Sequence, residues 1–402
     1  MASAKSFRQA GHAPSLLAAL LHFDISFMVW VLLGALGAYV AADLDLTSPQ
    51  KGLMVAVPAL GGAGFRLLIG GLADRFGIKR TGLVTLALTL VPLAWAALAG
   101  GTYGQVLGIG LLLGVAGASF AVALPLAGYW YPPEYRGLAL GIAGAGNSGT
   151  LIAALAAPRR AEHVGWHATF GLAAIPVTLA WIGFALLAKE PPRPDAGRPS
   201  SSASASLRLL EEPDARWLCA FYLVTFGGFV GLSSYLPIFF VDRFGLAKVS
   251  AAGYAALCAA AGSFLRPLGG ALADRWGGTR VLSGVLLGVG CLAAALVALP
   301  ALGATVFLLF LILGGLGACN GAVFQLVPQR FPTRIGTVTG LVGAAGGIGG
   351  FVLPFALGSL KGSTGSFASG FVFLAGALFI GSLAVARRHL WWRANDVEMA
   401  VA

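Results

Sequence analysis

The feature that most constrains this chain is a run of apolar residues, about twenty long, that recurs from one end to the other. An α-helix rises 1.5 Å per residue, so such a run matches the roughly 30 Å hydrocarbon core of a bilayer. Closing each run at its Pro, Gly and charged breakers gives twelve predicted spans. They cover 15–40, 52–72, 80–99, 103–129, 136–157, 166–188, 214–241, 249–272, 279–299, 303–328, 335–358 and 366–387. Only 10% of residues are charged and 58% are hydrophobic, against about 25% charged in soluble domains. A water-facing surface cannot be built from this stock. The expected fold class is an all-α membrane protein, and the 59 glycines suit helices that pack closely in lipid.

The segment after the sixth run, "KEPPRPDAGRPSSSASASLRLLEEPDAR", has Pro, Ser and charge but no hydrophobic period. It reads as a linker over 189–213, between a six-helix half at 1–188 and another at 214–402. With both termini placed inside, eighteen of the 26 Lys and Arg fall in inner segments and six in outer loops. That bias predicts cytoplasmic termini in a multi-pass protein of the cytoplasmic membrane. The formal charge of +11 is spread over these short loops, so it reports topology and not nucleic-acid binding. Cys219, Cys258, Cys291 and Cys319 lie in apolar spans at unrelated spacings and read as small core residues. The first run is long and lacks a small-residue cleavage site, so it is expected to be a retained helix.

The two remaining cations, Arg66 and Arg266, lie inside spans. They stand in two copies of one sentence: "GFRLLIGGLADRFGIKR" from Gly64 and "SFLRPLGGALADRWGGTR" from Ser263. Each arginine precedes an Asp-Arg pair by eight residues, roughly 12 Å of helix. Burying a guanidinium in lipid costs at least about 2.5 kcal/mol on insertion scales. A single arginine could snorkel to the headgroups. Two at equal depth in a parallel repeat about an axis along the membrane normal would instead face each other across a central path. Paired cations there make a site for a small anion. A second echo, "RGLALGIAGAGNSG" (136–149) against "IGTVTGLVGAAGGIGG" (335–350), supports the same repeat.

The G-x-x-x-D-R-x-G pattern (Gly70, Asp74, Arg75, Gly77) and its copy (Gly270, Asp274, Arg275, Gly277), set in a 6+6 arrangement, resemble the major facilitator superfamily. The glycine-rich "GIAGAGNSG" with Asn147, its counterpart "GAAGGIGGFVLP", "GVAGASF" ending at Phe120, "YLVTF" from Tyr222 to Phe226 and "FMVW" from Phe27 are similar to segments of its nitrate/nitrite porter family. The resemblance spans essentially the whole chain. It implies a twelve-helix transporter in two pseudo-symmetric halves that moves nitrate and nitrite by alternating access. The substrate-binding arginines of the family fall on Arg66 and Arg266. Phe120, Phe226 and Phe27 become candidates to cover the faces of a flat ion, and Tyr222 and Asn147 candidates to donate hydrogen bonds. Each has a plainer reading as helix packing. Asp74, Arg75, Asp274 and Arg275 would gate the halves, or else serve only as topology anchors. Guanidinium is planar and permanently charged, which suits a flat oxyanion.

One departure concerns "LLHFDISFMVW", which puts His22 and Asp24 inside the first span. An intramembrane acid is a functional candidate by default, and an imidazole titrates near neutrality. Both are proton-coupling candidates, which would make net uptake a nitrate/proton symport. Hydration of Asp24 near the interface is the alternative, and with it obligatory nitrate/nitrite exchange. A carrier of another small monovalent anion, such as a monocarboxylate, and a transporter-like sensor are the competing functions. Nothing points to an enzyme: the sequence has no metal-ligand spacing, nucleophile set or phosphate loop. No cofactor is expected. The expected partners are nitrate, nitrite, protons and lipid, with the chain acting as a monomer.

Overall fold

The computed structural model describes residues 7–191, 207–331 and 334–401. Most of the expected linker, residues 192–206, lies outside them. Among the described residues there is no strand, and all regular structure is helical. The main helices are α1 (Ala13–Trp30), α2 (Ser48–Phe76) and α3 (Ile78–Leu98), then the pair α4 (Tyr103–Gly117) and α5 (Phe120–Trp130), which together make one span. They are followed by α6 (Pro133–Gly144), α7 (Gly149–Leu187), α8 (Pro213–Phe244) and α9 (Lys248–Trp276). The last four are α10 (Gly278–Leu296), α11 (Leu302–Arg330), α12 (Ile335–Thr364) and α13 (Ala368–Val401). The region 138–187 is fifty residues of apolar, mostly helical chain. That is about 75 Å, over twice the thickness of a bilayer core. Gly165 interrupts it with φ +78, so the predicted fifth and sixth spans are two passes joined at a glycine.

The structure departs from the predicted spans in where they break. The first span is three pieces: α1, then Leu32–Ala35 and Gly37–Asp43, separated at Val31 and Leu36. The fourth is divided at Ala118–Ser119, and the fifth carries a 3₁₀ turn over Ala145–Ser148 between α6 and α7. Their partners in the repeat, α8, α11 and α12, run without interruption. The second half is thus the regular copy of the scaffold and the first half the broken one.

The chain forms two compact units. The first is Met1–Leu46, Val57–Arg208 and Pro237–Ala256, and the second is Thr47–Ala56, Leu209–Leu236 and Leu257–Ala402. Within the first, α1 crosses the start of α7 so closely that a side-chain carbon at Gly149 would overlap the Asp24 carbonyl oxygen. Within the second, Gly349 lies in the same relation to the Leu223 carbonyl. Such contacts require glycine, and they let backbone pack on backbone where lipid supplies no hydrophobic drive. The repeat also extends to the helix ends. Gly77 and Gly277, with φ +96 and +91, each turn the chain between two helices. Both Glu190 carboxylate oxygens accept from the first amides of α3, Ile78 at 2.7 Å and Lys79 at 2.9 Å. At the matching end of α10 the residue is His389, whose Nδ1 lies 2.7 Å from Thr279 Oγ1.

Candidate functional site

In the first unit the site is built around Arg66, on α2 and only 4% exposed. Its Nε donates to the Gly117 carbonyl at 3.0 Å. In a regular helix that carbonyl would accept from Ala121. Here Ala121 donates instead to Ala118, at 2.9 Å, because the helix breaks between α4 and α5. The break therefore turns a backbone acceptor over to the arginine. Two rings flank the guanidinium carbon, Trp30 at 5.4 Å and Phe120 at 5.6 Å from their centroids. Cation–π contacts at this range offset part of the cost of burial. Phe27 meets Trp30 edge-on at 4.9 Å and Phe23 at 5.2 Å. Phe23 in turn meets Phe120 at 5.7 Å. Arg66, Phe120 and Phe27, predicted separately, thus belong to one aromatic cluster.

Asn147 lies in the 3₁₀ turn, buried, its Oδ1 without a hydrogen-bond partner among the described residues. Its neighbour Ser148 donates to Asp24 Oδ1 at 2.6 Å. Asp24 and Phe27 stand three residues apart on α1 and have different partners: Asp24 meets Ser148, and Phe27 meets the aromatic cluster. His22 turns elsewhere again. Its Nε2 lies 3.4 Å from Thr85 Oγ1 on α3, and its ring lies 4.9 Å from Phe184 on α7. His22 and Asp24 are adjacent in sequence but sit in different packing environments.

In the second unit Arg266, on α9, is half-buried. Its guanidinium carbon is 5.3 Å from the Phe324 ring on α11. Tyr222 meets Phe324 edge-on at 4.9 Å and stacks on Phe226 at 4.8 Å with 9° between the planes. Arg266, Tyr222 and Phe226 are therefore joined through a ring that motif reading missed. The signal was present but displaced. Offsetting Phe120 by the 200 residues that separate Arg66 from Arg266 lands on Asn320, and the phenylalanine comes four residues later, one helical turn on. Asn320 is itself buried, its Oδ1 without a hydrogen-bond partner among the described residues.

The Asp-Arg motif residues lie apart from both clusters. Asp74, Arg75, Asp274 and Arg275 are exposed at the last turns of α2 and α9. Arg75 packs over the Phe76 ring at 5.2 Å. Among the described residues no group of three or more His, Cys, Asp or Glu is placed to hold a metal.

The model of the Major Facilitator Superfamily matches residues 18–354. The "Nitrite extrusion protein" of Bacillus subtilis (strain 168) is 35% identical over 352 residues, 87% of each chain. The "Probable nitrate/nitrite antiporter NarK1" of Thermus thermophilus is 34% identical over 368 residues, 83% of this chain and 82% of that protein. Among solved structures, a D-xylose–proton symporter superposes with a TM-score of 0.74 at 17% identity, covering 92% of this chain and 96% of that one. At that identity the likeness concerns the fold alone.

Proposed function

The chain belongs to the major facilitator superfamily and, within it, to the nitrate/nitrite porters, and from that premise we propose that it carries nitrate, and nitrite with it, across the cytoplasmic membrane by alternating access. The observation that carries this reading is that the two repeats present an arginine at matching positions, each beside aromatic rings. Arg66 has Trp30 and Phe120; Arg266 has Phe324, with Tyr222 and Phe226 behind it. In this reading the two guanidiniums hold one flat monovalent anion between the halves 1–188 and 214–402. Phe120, Phe226 and Phe27 bound its faces, and Tyr222 and Asn147 add donors. Without the anion two like charges repel. With it, closure of one half on the other becomes favourable, which is the differential affinity a transport cycle needs. The exposed Asp74, Arg75, Asp274 and Arg275 gate the cytoplasmic side, where both termini lie.

Asp24 is the coupling site in this proposal. It occupies the α1–α7 crossing, and Leu223 holds the equivalent place at the α8–α12 crossing. A single acid, hydrogen-bonded to Ser148 in a span, can take up a proton as the anion binds and make net symport possible. Obligatory exchange is the second reading, favoured by the antiporter name of the Thermus relative. The test is uptake into vesicles reconstituted with the purified chain. Nitrate entry without internal anion, accompanied by acidification of the lumen, supports symport. Uptake that requires internal nitrite rules it out. Wild-type nitrate uptake by Arg66→Gln or Arg266→Gln at normal expression would overturn the site. Transport of formate or acetate in preference to nitrate would overturn the substrate.

A further inference from the structure

The two arginines are held in unlike ways. Arg66 is buried, and its Nε is engaged by a backbone carbonyl that only the α4–α5 break makes available. Arg266 is half-buried over one ring and makes no hydrogen bond or ion pair among the described residues. The residue that ties the Arg66 arrangement together is Trp30. Its Nε1 donates to the Pro58 carbonyl of α2 at 2.7 Å. Its indole fills the space left by two glycines, for a side-chain carbon at Gly62 would lie 3.1 Å from Trp30 Nε1 and one at Gly117 would overlap it. Gly117 is also the residue whose carbonyl accepts from Arg66. One indole therefore sets the spacing of α1, α2 and α4, and presents its face to the guanidinium.

We propose that Trp30 is a positioning residue for nitrate binding: it fixes Arg66 as the pre-set arm of the anion site, while Arg266 is the arm that adjusts. Resting on the reading of Arg66 as substrate-binding, the proposal adds a division of labour that sequence symmetry does not suggest. The regular copy supplies the internal control. There Gly262 would meet the Phe229 ring as Gly62 meets Trp30, but Phe229 has neither an indole donor nor a broken helix beside it. With Nε committed, the Arg66 guanidinium keeps one orientation, so less ordering is left for the moment of binding.

The experiment measures nitrate affinity of the purified protein by calorimetry, with turnover at saturating nitrate from vesicles. For Trp30→Leu the dissociation constant is expected to rise about tenfold, while maximal turnover stays within about twofold. Trp30→Phe keeps a ring under the cation and loses the Pro58 bond, so it should recover part of the loss, to about threefold. Phe229→Leu should leave affinity within about twofold, since no arginine backbone bond depends on it. An unchanged dissociation constant in Trp30→Leu, or equal loss in Phe229→Leu, would overturn the proposal. Should Trp30→Leu fail to accumulate, Trp30→Phe decides alone, an unchanged constant counting against it. No saturable nitrate binding by the wild-type chain would instead remove the proposed function, and this inference with it.

Discussion

A guanidinium is directional in a way an ammonium is not, and the first half of this chain uses that. Arg66 commits Nε to Gly117 and presents the rest of its plane between Trp30 and Phe120. Lysine offers neither the fork nor the lateral N–H. Arg66→Lys should therefore weaken nitrate binding about a hundredfold, and Arg266→Lys only about tenfold, because no backbone bond is lost there. Titration of nitrate into each purified variant checks the ratio. Both arginines were legible from the repeat, since a buried charge in an apolar run cannot be hidden by packing. Their surroundings were not. Trp30, Gly117 and Phe324 are ordinary core residues in sequence, and they matter because of a helix break and a one-turn shift that tertiary contacts decide. Ser148, partner of Asp24, was equally silent, since a serine in a glycine-rich run suggests only close packing.

Helix ends carry the next set of consequences. The carboxylate of Glu190 satisfies two of the orphan amides at the start of α3 and complements the positive end of its dipole. Glu190→Ala should cost about 1 kcal/mol, read as a lower melting temperature, with nitrate affinity unchanged. The start of α1 is capped differently. His12 Nδ1 accepts from the Ser15 amide at 3.1 Å, its ring packs on Trp130 at 4.9 Å, and the Lys189 amide donates to Ser15 Oγ at 2.9 Å. Burial, then the nearby Lys189 charge, hold the His12 imidazole below its ordinary value of 6.5. The folded chain therefore binds fewer protons here than the unfolded chain, and this contribution is present above the ordinary value and lost as pH falls through it. Acidification below that ordinary value should loosen the segment at Phe7, which stacks on Tyr131 at 4.7 Å. Limited proteolysis across pH 5 to 8 reads this, and His12→Asn, which keeps an N-cap acceptor without the titration, should flatten the profile. Span number and order were legible in the apolar runs. The interruptions at Val31, Ala118 and Ala145 were not, because each depends on what the neighbouring helix presents.

For the molecule as a whole, the informative contrast is between a broken copy and a regular copy of one scaffold. Internal symmetry is kept in the glycine crossings and in the turns at Gly77 and Gly277. It is abandoned where chemistry is proposed: Asp24 against Leu223, and Phe120 against a phenylalanine one turn further along. If Asp24 couples protons, Asp24→Asn should retain nitrate/nitrite exchange in vesicles while losing net uptake with luminal acidification. Loss of both activities at normal affinity would mark Asp24 as structural. The glycine crossings also bear on how the gene tolerates change. Any missense change of a glycine codon introduces a larger residue, and at Gly149 or Gly349 even a methyl group would overlap a backbone carbonyl of the facing helix. At Gly64 and Gly70 the same change meets nothing within 4 Å. Random mutants selected for lost uptake should thus collect at positions 149 and 349 and spare 64 and 70, so the map of inherited damage would trace where the two backbones of each half touch.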